Sequence, residues 1–215
     1  TRSATNSLGA IQQARKSATG PLARSLMVLE DGLRTIEKRL RLLDPLSTSS
    51  RQRKESFDVI EWIRLIADSH SEQMETAGIS LSVRVDGEAK IWPVKMVKGM
   101  FVQILENLLN NSIYWLRRVD KKKSPKGFRP TIEIVLRPAT RTVQVVDNGP
   151  GIAASRAEDV FSAFYTERPE GESHGLGLYI SREVAVYNGA TLALSPEPVI
   201  HPGRFNSVVL TLSEV

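Results

Sequence analysis

The first residues with chemical content lie on one apolar helical pattern. Gln103, Asn107 and Asn111 recur at every fourth position, while Val97, Phe101, Ile104, Leu105, Leu108 and Leu109 fill the rest of the run, so the amides form a polar stripe beside Asn110 on an otherwise buried helix. Asparagine is a poor helix former and a buried amide without partners is costly. Such a stripe must meet something polar: a ligand, a hydrated metal, or neighbouring backbone. A second group, Asp147-Asn148-Gly149-Pro150-Gly151-Ile152, follows directly on an apolar strand pattern ending at Val146. Asn-Gly is also a hairpin signal, but Pro150 to Ala153 does not open an alternating partner strand. A carboxylate at a strand end, beside glycines that permit close approach, can accept a hydrogen bond from an exocyclic amine. The third group, Gly175-Leu176-Gly177-Leu178, stands at the mouth of a helix, where glycines let backbone amides converge on an anion with help from the helix dipole. One Gly-x-Gly is weak; the order and spacing of all three groups carry the weight.

Elements must hold these groups. The pattern predicts a helix from about Asp58 to Ala77 ended by Gly78, then a strand over residues 79–85. Pro93 fits the first turn of a long helix running to about Arg118. Residues 131–136 and 142–146 read as two strands joined by a short turn, and residues 149–174 as a loop rich in Gly, Pro, Ser and Glu. A helix over 176–187, stopped by Asn188-Gly189, precedes strands near 190–195 and 207–212. This order predicts an α/β fold, a two-layer sandwich of a mixed sheet and helices, rather than a doubly wound parallel sheet. Upstream, Leu22, Leu26, Leu29, Leu33, Ile36, Leu40 and Leu43 follow a heptad seam that stops at Asp44-Pro45. Met27, Val28 and Leu42 broaden it. A helix over 22–46 therefore packs in a dimer or bundle, or else docks on its own domain; the expected division is a helical dimerisation segment at 1–50 and a larger domain at 51–215.

Composition narrows the chemistry further. The chain of 215 residues has no cysteine, so thiolate metal sites and cysteine nucleophiles are excluded, and its three histidines, His70, His174 and His201, lack paired ligand spacing. No run approaches the roughly 20 apolar residues of a membrane span. The net charge is +5, but it is spread, and the basic stretch 121–129 holds one aromatic, Phe128, among Ser124, Pro125, Gly127 and Pro130. That composition predicts a solvated loop and no nucleic-acid partner.

Together the motifs resemble those of the histidine-kinase-like (GHKL) ATPases. Asn107-Leu-Leu-Asn-Asn111-Ser looks like the N-box of sensor histidine kinases, Asp147-Asn-Gly-Pro-Gly151 like their first glycine box, and Gly175-Leu-Gly-Leu178 like their second. Val160 to Gly171 is similar to the F-box and lid of the nitrogen-regulation-like kinases, and Gly203-Arg-Phe205 to Leu212 to the family's last strand. The resemblance covers about Glu55 to the C-terminus. It implies the Bergerat ATP-binding fold with a mobile lid, and ATP and Mg²⁺ as cofactors. Asn111 would ligate the metal and Asn107 would lie beside the phosphates. Asp147 would read the adenine amine in a pocket shaped by Gly149, Gly151 and Ile152. Phe161 and Phe164 would anchor the lid, with core packing as the alternative for both and Phe164 counted among the nucleotide-binding residues, and the backbone around Gly175, Leu176, Gly177 and Leu178 would hold the phosphates.

Three departures from the family pattern stand out. Tyr114 and Trp115 occupy positions where many members carry lysine and tyrosine, so the cation for the phosphates is expected from Arg168 in the lid; a solvated loop charge is the alternative. His174 could also reach a phosphate or belong to the lid surface. No histidine precedes His70, so the phosphate-accepting histidine of a sensor kinase would lie outside this chain, or the natural protein would lack one. The competing class is an ATP-hydrolysing clamp of the gyrase, mismatch-repair or chaperone type, which places a glutamate one turn before the metal-binding asparagine. Asn107 stands there instead, and Glu106 lies about 100° around the helix. The resemblance thus implies a protein-histidine kinase module with a homodimeric 22–46 helix, a response-regulator partner and a cytoplasmic location, whether or not the full protein is membrane-anchored.

Overall fold

Apolar alternation over short β-branched runs produces the sheet at the centre of the domain. The computed structural model describes residues 53–120 and 125–213. The segment 1–50 with its expected helix at 22–46, and Lys121 to Ser124 of the basic loop, lie outside the described residues. In chain order the elements are β1 (Glu55–Asp58), α1 (Val59–Ser69), α2 (Ser71–Ala77), β2 (Ser80–Val85), β3 (Pro93–Met96) and α3 (Lys98–Leu116). There follow β4 (Thr131–Arg137), β5 (Thr142–Asp147), β6 (Ile152–Ala153), α4 (Gly177–Tyr187), β7 (Thr191–Ser195), β8 (Arg204–Phe205) and β9 (Ser207–Thr211).

The main sheet runs β2-β4-β5-β9-β7. Strand β2 is parallel to β4, and the remaining pairs are antiparallel, so the sheet is mixed as expected. Cross-strand partners Leu136, Val143, Leu210 and Leu192 share one face and are buried. Helix α3 packs there through Phe101, Ile104, Leu105, Leu108 and Leu109, making the second layer. Truncating one of these to alanine costs about 2–5 kcal/mol.

Two elements differ from the sequence expectation. The single helix over 58–77 is two, because Ser69 Oγ donates to the Ile66 carbonyl at 2.7 Å and the His70 ring bonds the same oxygen at 3.0 Å, ending α1. Helix α2 then closes on Gly78 with φ +64, as its glycine required. Pro93 opens strand β3 rather than a helix. Val94 and Met96 are buried while Pro93 and Lys95 are exposed, a period of two, and proline is tolerated at a strand's first residue. Helix α3 begins at Lys98, where the Val97 amide donates to Asn188 Oδ1 at 2.9 Å. Asn188, at the far end of α4 and 3% exposed, also donates from Nδ2 to the Val184 carbonyl at 2.9 Å.

The segment between β5 and α4 is largely irregular, as its composition predicts, yet it contains β6. That strand pairs with β8 over two residues, Ile152↔Phe205 and Ala153↔Arg204, which is too short to leave a periodic signature.

Candidate functional site

Asp147 ends β5 and is fixed from both sides. Ser112 Oγ of α3 donates to Oδ2 at 2.7 Å, and the Gly149 amide donates to Oδ1 at 2.9 Å. Burial pushes the carboxyl pKa up; the Ser112 and Gly149 hydrogen bonds and the charge of His201 pull it down. The turn beyond needs its glycines. A Cβ on Gly149 would stand 2.8 Å from Asp147 Oδ1, and Gly151, at φ +66, would put one 2.8 Å from Asn206 Oδ1.

The polar stripe on α3 divides by what its amides meet. Asn111 lines the cavity beside Asp147. Asn107 turns to backbone and hydroxyl, donating from Nδ2 to the Gly177 carbonyl at 3.3 Å and to Ser181 Oγ at 3.1 Å. It ties α3 to the first turn of α4, and is not among the residues lining the cavity. The neighbouring-backbone role open in the sequence is the one Asn107 takes here, while Asn111 faces the cavity.

Gly175 has φ +63, and a Cβ there would meet the Phe164 carbonyl carbon at 2.4 Å, so backbone lies directly on backbone. Buried Leu176 caps α4 without a side-chain hydrogen bond, leaving the first-turn amides to whatever enters the cavity. Gly177 and Leu178 line that cavity, and a Cβ on Gly177 would come no nearer than 4.0 Å to Asn107 and Asn111. Helix α4 thus presents its positive end toward Asn111.

Tyr165, Thr166, Glu167 and Arg168 form one wall. Arg168 Nη2 donates to Asn111 Oδ1, and its guanidinium lies 3.8 Å over the Tyr114 ring. Burial lowers the Arg168 pKa. Phe161 is buried, whereas Phe164 is 50% exposed with φ +68 and, like His174, is not among the residues lining the cavity. The cavity encloses about 220 Å³ and is floored by Leu108, Trp115, Val145, Ile152, Phe205 and Val208, mostly apolar. An apolar floor, a carboxylate at the end of β5, and a helix N-terminus beside the Asn111 amide suit a ligand with an amine-bearing ring and an anionic tail.

Sequence reasoning did not find Ser112, His201, Arg204 and Asn206. Ser112 follows directly on Asn111, and the step of about 100° around the helix brings its hydroxyl to Asp147. The other three reach the site across the β6–β8 pair, and nothing in their local pattern points to it.

Residues 97–214 match the family described as Histidine kinase-, DNA gyrase B-, and HSP90-like ATPase. The chain is 37% identical over 94 residues to the sensor protein ChvG of Rhizobium meliloti (strain 1021), covering 42% of this chain and 15% of that protein. Among solved structures it is similar to the catalytic domain of histidine kinase ThkA, with 25% identity, a TM-score of 0.55, and coverage of 74% of this chain and 92% of that one. It also shares its fold with histidine kinase ThkA in complex with response regulator protein TrrA, at 20% identity and a TM-score of 0.54 over 97% of this chain and 56% of that one.

Proposed function

Because the chain belongs to the histidine kinase-, DNA gyrase B-, and HSP90-like ATPase family, we propose that it is the ATP-binding catalytic portion of a two-component sensor histidine kinase, and that the whole protein transfers the ATP γ-phosphate to a histidine outside this chain. The observation that carries this reading is the convergence of Asp147, Asn111 and the α4 N-terminus on one cavity walled by Arg168. Asp147 would accept from the adenine amine, held in register by Ser112 and Gly149. The apolar slot beside Trp115 and Ile152 would take the ring, and the amides of Gly177 and Leu178 the phosphates.

No group of three or more His, Cys, Asp or Glu able to hold a metal occurs among the described residues. A lone amide oxygen, that of Asn111, nonetheless fits Mg²⁺, which keeps waters and takes most of its ligands from substrate phosphates. When bound with the nucleotide, the ion would neutralise phosphate charge. Asn111 would hold it, and Arg168 would turn from Asn111 to the phosphates. Asn107 would keep α4 in place rather than act as a base.

The hydrolase alternative lacks its base. Asn107 stands where a glutamate would be needed, and Glu106 is exposed on another face of α3. Phosphoryl transfer to an outside nucleophile depends mostly on positioning and charge stabilisation, which this site offers.

The chain spans 15% of the length of the ChvG protein it matches, so the wider assembly is proposed rather than read from it: a homodimer through the 22–46 helix, a response-regulator partner, and a cytoplasmic site of action. No helix of the described residues is long and apolar enough to cross a membrane. Calorimetry with Mg²⁺-ATP on the wild type, Asn111→Ala and Asp147→Ala tests the site; binding that survives both substitutions undiminished would overturn it. Incubation with γ-labelled ATP should leave the chain alone unlabelled. Acid-labile label on this chain that disappears in His70→Gln would move the acceptor inside it.

A further inference from the structure

We propose that His201, Arg204 and Asn206 are positioning residues that clamp the turn from Asp147 to Gly151 by its carbonyl oxygens, and thereby set which purine the cavity accepts. The purine half of this statement rests on the ATP reading; the clamp itself does not.

Four of the turn's carbonyls receive side-chain donors from one short stretch of chain. Asn206 Nδ2 donates to the Asp147 carbonyl at 3.1 Å and to the Gly149 carbonyl at 2.9 Å, using both its hydrogens. The Asp147 amide returns a bond to the Asn206 carbonyl at 3.0 Å. His201 Nε2 lies 3.0 Å from the same Gly149 oxygen, and a carbonyl only accepts, so that nitrogen carries the proton. The Gly149 oxygen therefore has both lone pairs filled. Arg204 completes the set, donating from Nε to the Pro150 carbonyl at 2.5 Å and from Nη2 to the Gly151 carbonyl at 2.9 Å. On the opposite flank Asn148 stitches the turn to the start of β4, accepting from the Thr131 amide at 2.8 Å and donating to the Arg129 carbonyl at 2.8 Å.

Loops are normally tied to water through such carbonyls and can rotate their peptide planes. Here those planes are fixed by side chains, one of them 3% exposed. Fixing them holds the Gly149 amide on Asp147 Oδ1, and so fixes the carboxylate whose remaining lone pairs face the cavity. Gly151 belongs to the same device, since only a residue without Cβ leaves room for the Asn206 amide, whose Oδ1 is buried and unpartnered. A fixed carboxylate welcomes an exocyclic amine and opposes the guanine carbonyl, where two acceptors would face each other. A loosened one can turn aside and tolerate either. The clamp therefore acts on the difference between purines more than on binding as such.

Asn206→Val removes both amide donors, and the pair His201→Leu and His201→Gln separates the hydrogen bond from the packing, because a glutamine amide nitrogen can stand where Nε2 does. Asn206→Val is expected to lower the ratio of ATP to GTP affinity by about tenfold, His201→Leu to lower it as well, and His201→Gln to recover much of it. In the nucleotide-free protein, amide exchange at Gly149 should quicken in Asn206→Val and His201→Leu and remain slow in His201→Gln, and the His201 pair serves where Asn206→Val does not fold. An unchanged ratio, an equal loss for both nucleotides, or glutamine at position 201 performing no better than leucine would overturn the proposal. If the wild type bound neither nucleotide while Gly149 exchange still rose in Asn206→Val, the clamp would stand and the ATP reading would fall.

Discussion

Arg168 donates to the side-chain oxygen of Asn111, so a lid cation holds the atom proposed to ligate the metal ion. The arginine is steadied from below. Its guanidinium lies 3.8 Å from the centre of the Tyr114 ring, which also carries Arg118 at 3.7 Å, and the Tyr114 hydroxyl donates to Glu172 at 2.6 Å. Tyrosine at position 114 thus supplies a platform for lid arginine, and the departure from the family's lysine becomes intelligible as a way of placing the cation from the other side.

Arg168→Gln is expected to weaken Mg²⁺-ATP about tenfold, the scale of one charge-assisted hydrogen bond, while leaving AMP or adenosine nearly unchanged. Titration calorimetry with the three ligands checks this. Equal losses for all three would show that Arg168 shapes the cavity rather than meeting the phosphates.

Asp147→Asn bears on pH. Burial raises the Asp147 pKa above its unfolded value, so the folded state binds the proton more tightly. The stability this confers is fully present below the unfolded pKa and is lost as pH rises through the folded one. The asparagine variant lacks that loss, and thermal melts should find it more stable than wild type at neutral pH, with the difference closing in acid. Nucleotide affinity runs the opposite way. The carboxylate must be ionised to accept from an amine on top of its Ser112 bond, so wild-type ATP affinity should fall on acidification, beginning at a higher pH than an ordinary aspartate would give. A flat affinity profile through the acid range would count against Asp147 as the amine acceptor.

Gly175→Ala and Gly177→Ala should part company. The first drives a Cβ to 2.4 Å from the Phe164 backbone at a positive φ, with a strain cost of about 1–3 kcal/mol before the clash is added. The second meets nothing closer than 4.0 Å. Denaturant unfolding should show Gly175→Ala clearly destabilised and Gly177→Ala close to wild type, with any nucleotide loss in the latter arising at the phosphate end alone. Comparable stability for both would mean that the lid base is looser than its geometry.

Asn107→Ala removes the tie from α3 to Gly177 and Ser181. A loss of about 1–2 kcal/mol in unfolding free energy is expected, together with weaker ATP binding through a displaced α4. Asn107→Ser, too short to span the gap, should behave similarly. Full stability with abolished nucleotide binding would instead assign Asn107 to the phosphates directly.

Leu29→Lys combined with Ile36→Lys tests the proposed dimer. Sedimentation should find the wild type dimeric and the variant a folded, nucleotide-binding monomer. A wild-type monomer at high concentration would favour a helix docked on its own domain.

The chemistry was most legible in the sequence where backbone geometry restricts the residue type. Gly151 and Gly175 occupy positive φ with close neighbours, and Asp147 ends a strand, so three local patterns pointed to Asn111, Asp147, Gly151, Gly175 and Gly177, all of which line the cavity. Legibility failed where contacts span distance or where side chains override local preference. Asn206 and His201 reach Asp147 and Gly149 from more than fifty residues away, through a two-residue strand pair with no periodicity. Pro93 could begin a helix or a strand by local preference alone; the burial of Val94 and Met96 against β1 decided it. At His70 a side chain captures a helix carbonyl and divides what apolar spacing read as one helix. Phe164, expected as a lid anchor, and His174, read as reaching a phosphate or belonging to the lid surface, are not among the residues lining the cavity.

Asn188 joins the end of α4 to the beginning of α3. Asn107, at the middle of α3, holds the first turn of α4, so α4 is tied to α3 at both of its own ends. A shift of Gly177 on anion binding is expected to be felt through α4 at the Val97 amide. From Val97 it passes to β3 and its partner β1, the first strand of the domain. Nucleotide-dependent exchange at the Val97 amide, far from the cavity, would register that transmission, and Asn188→Ala should silence it.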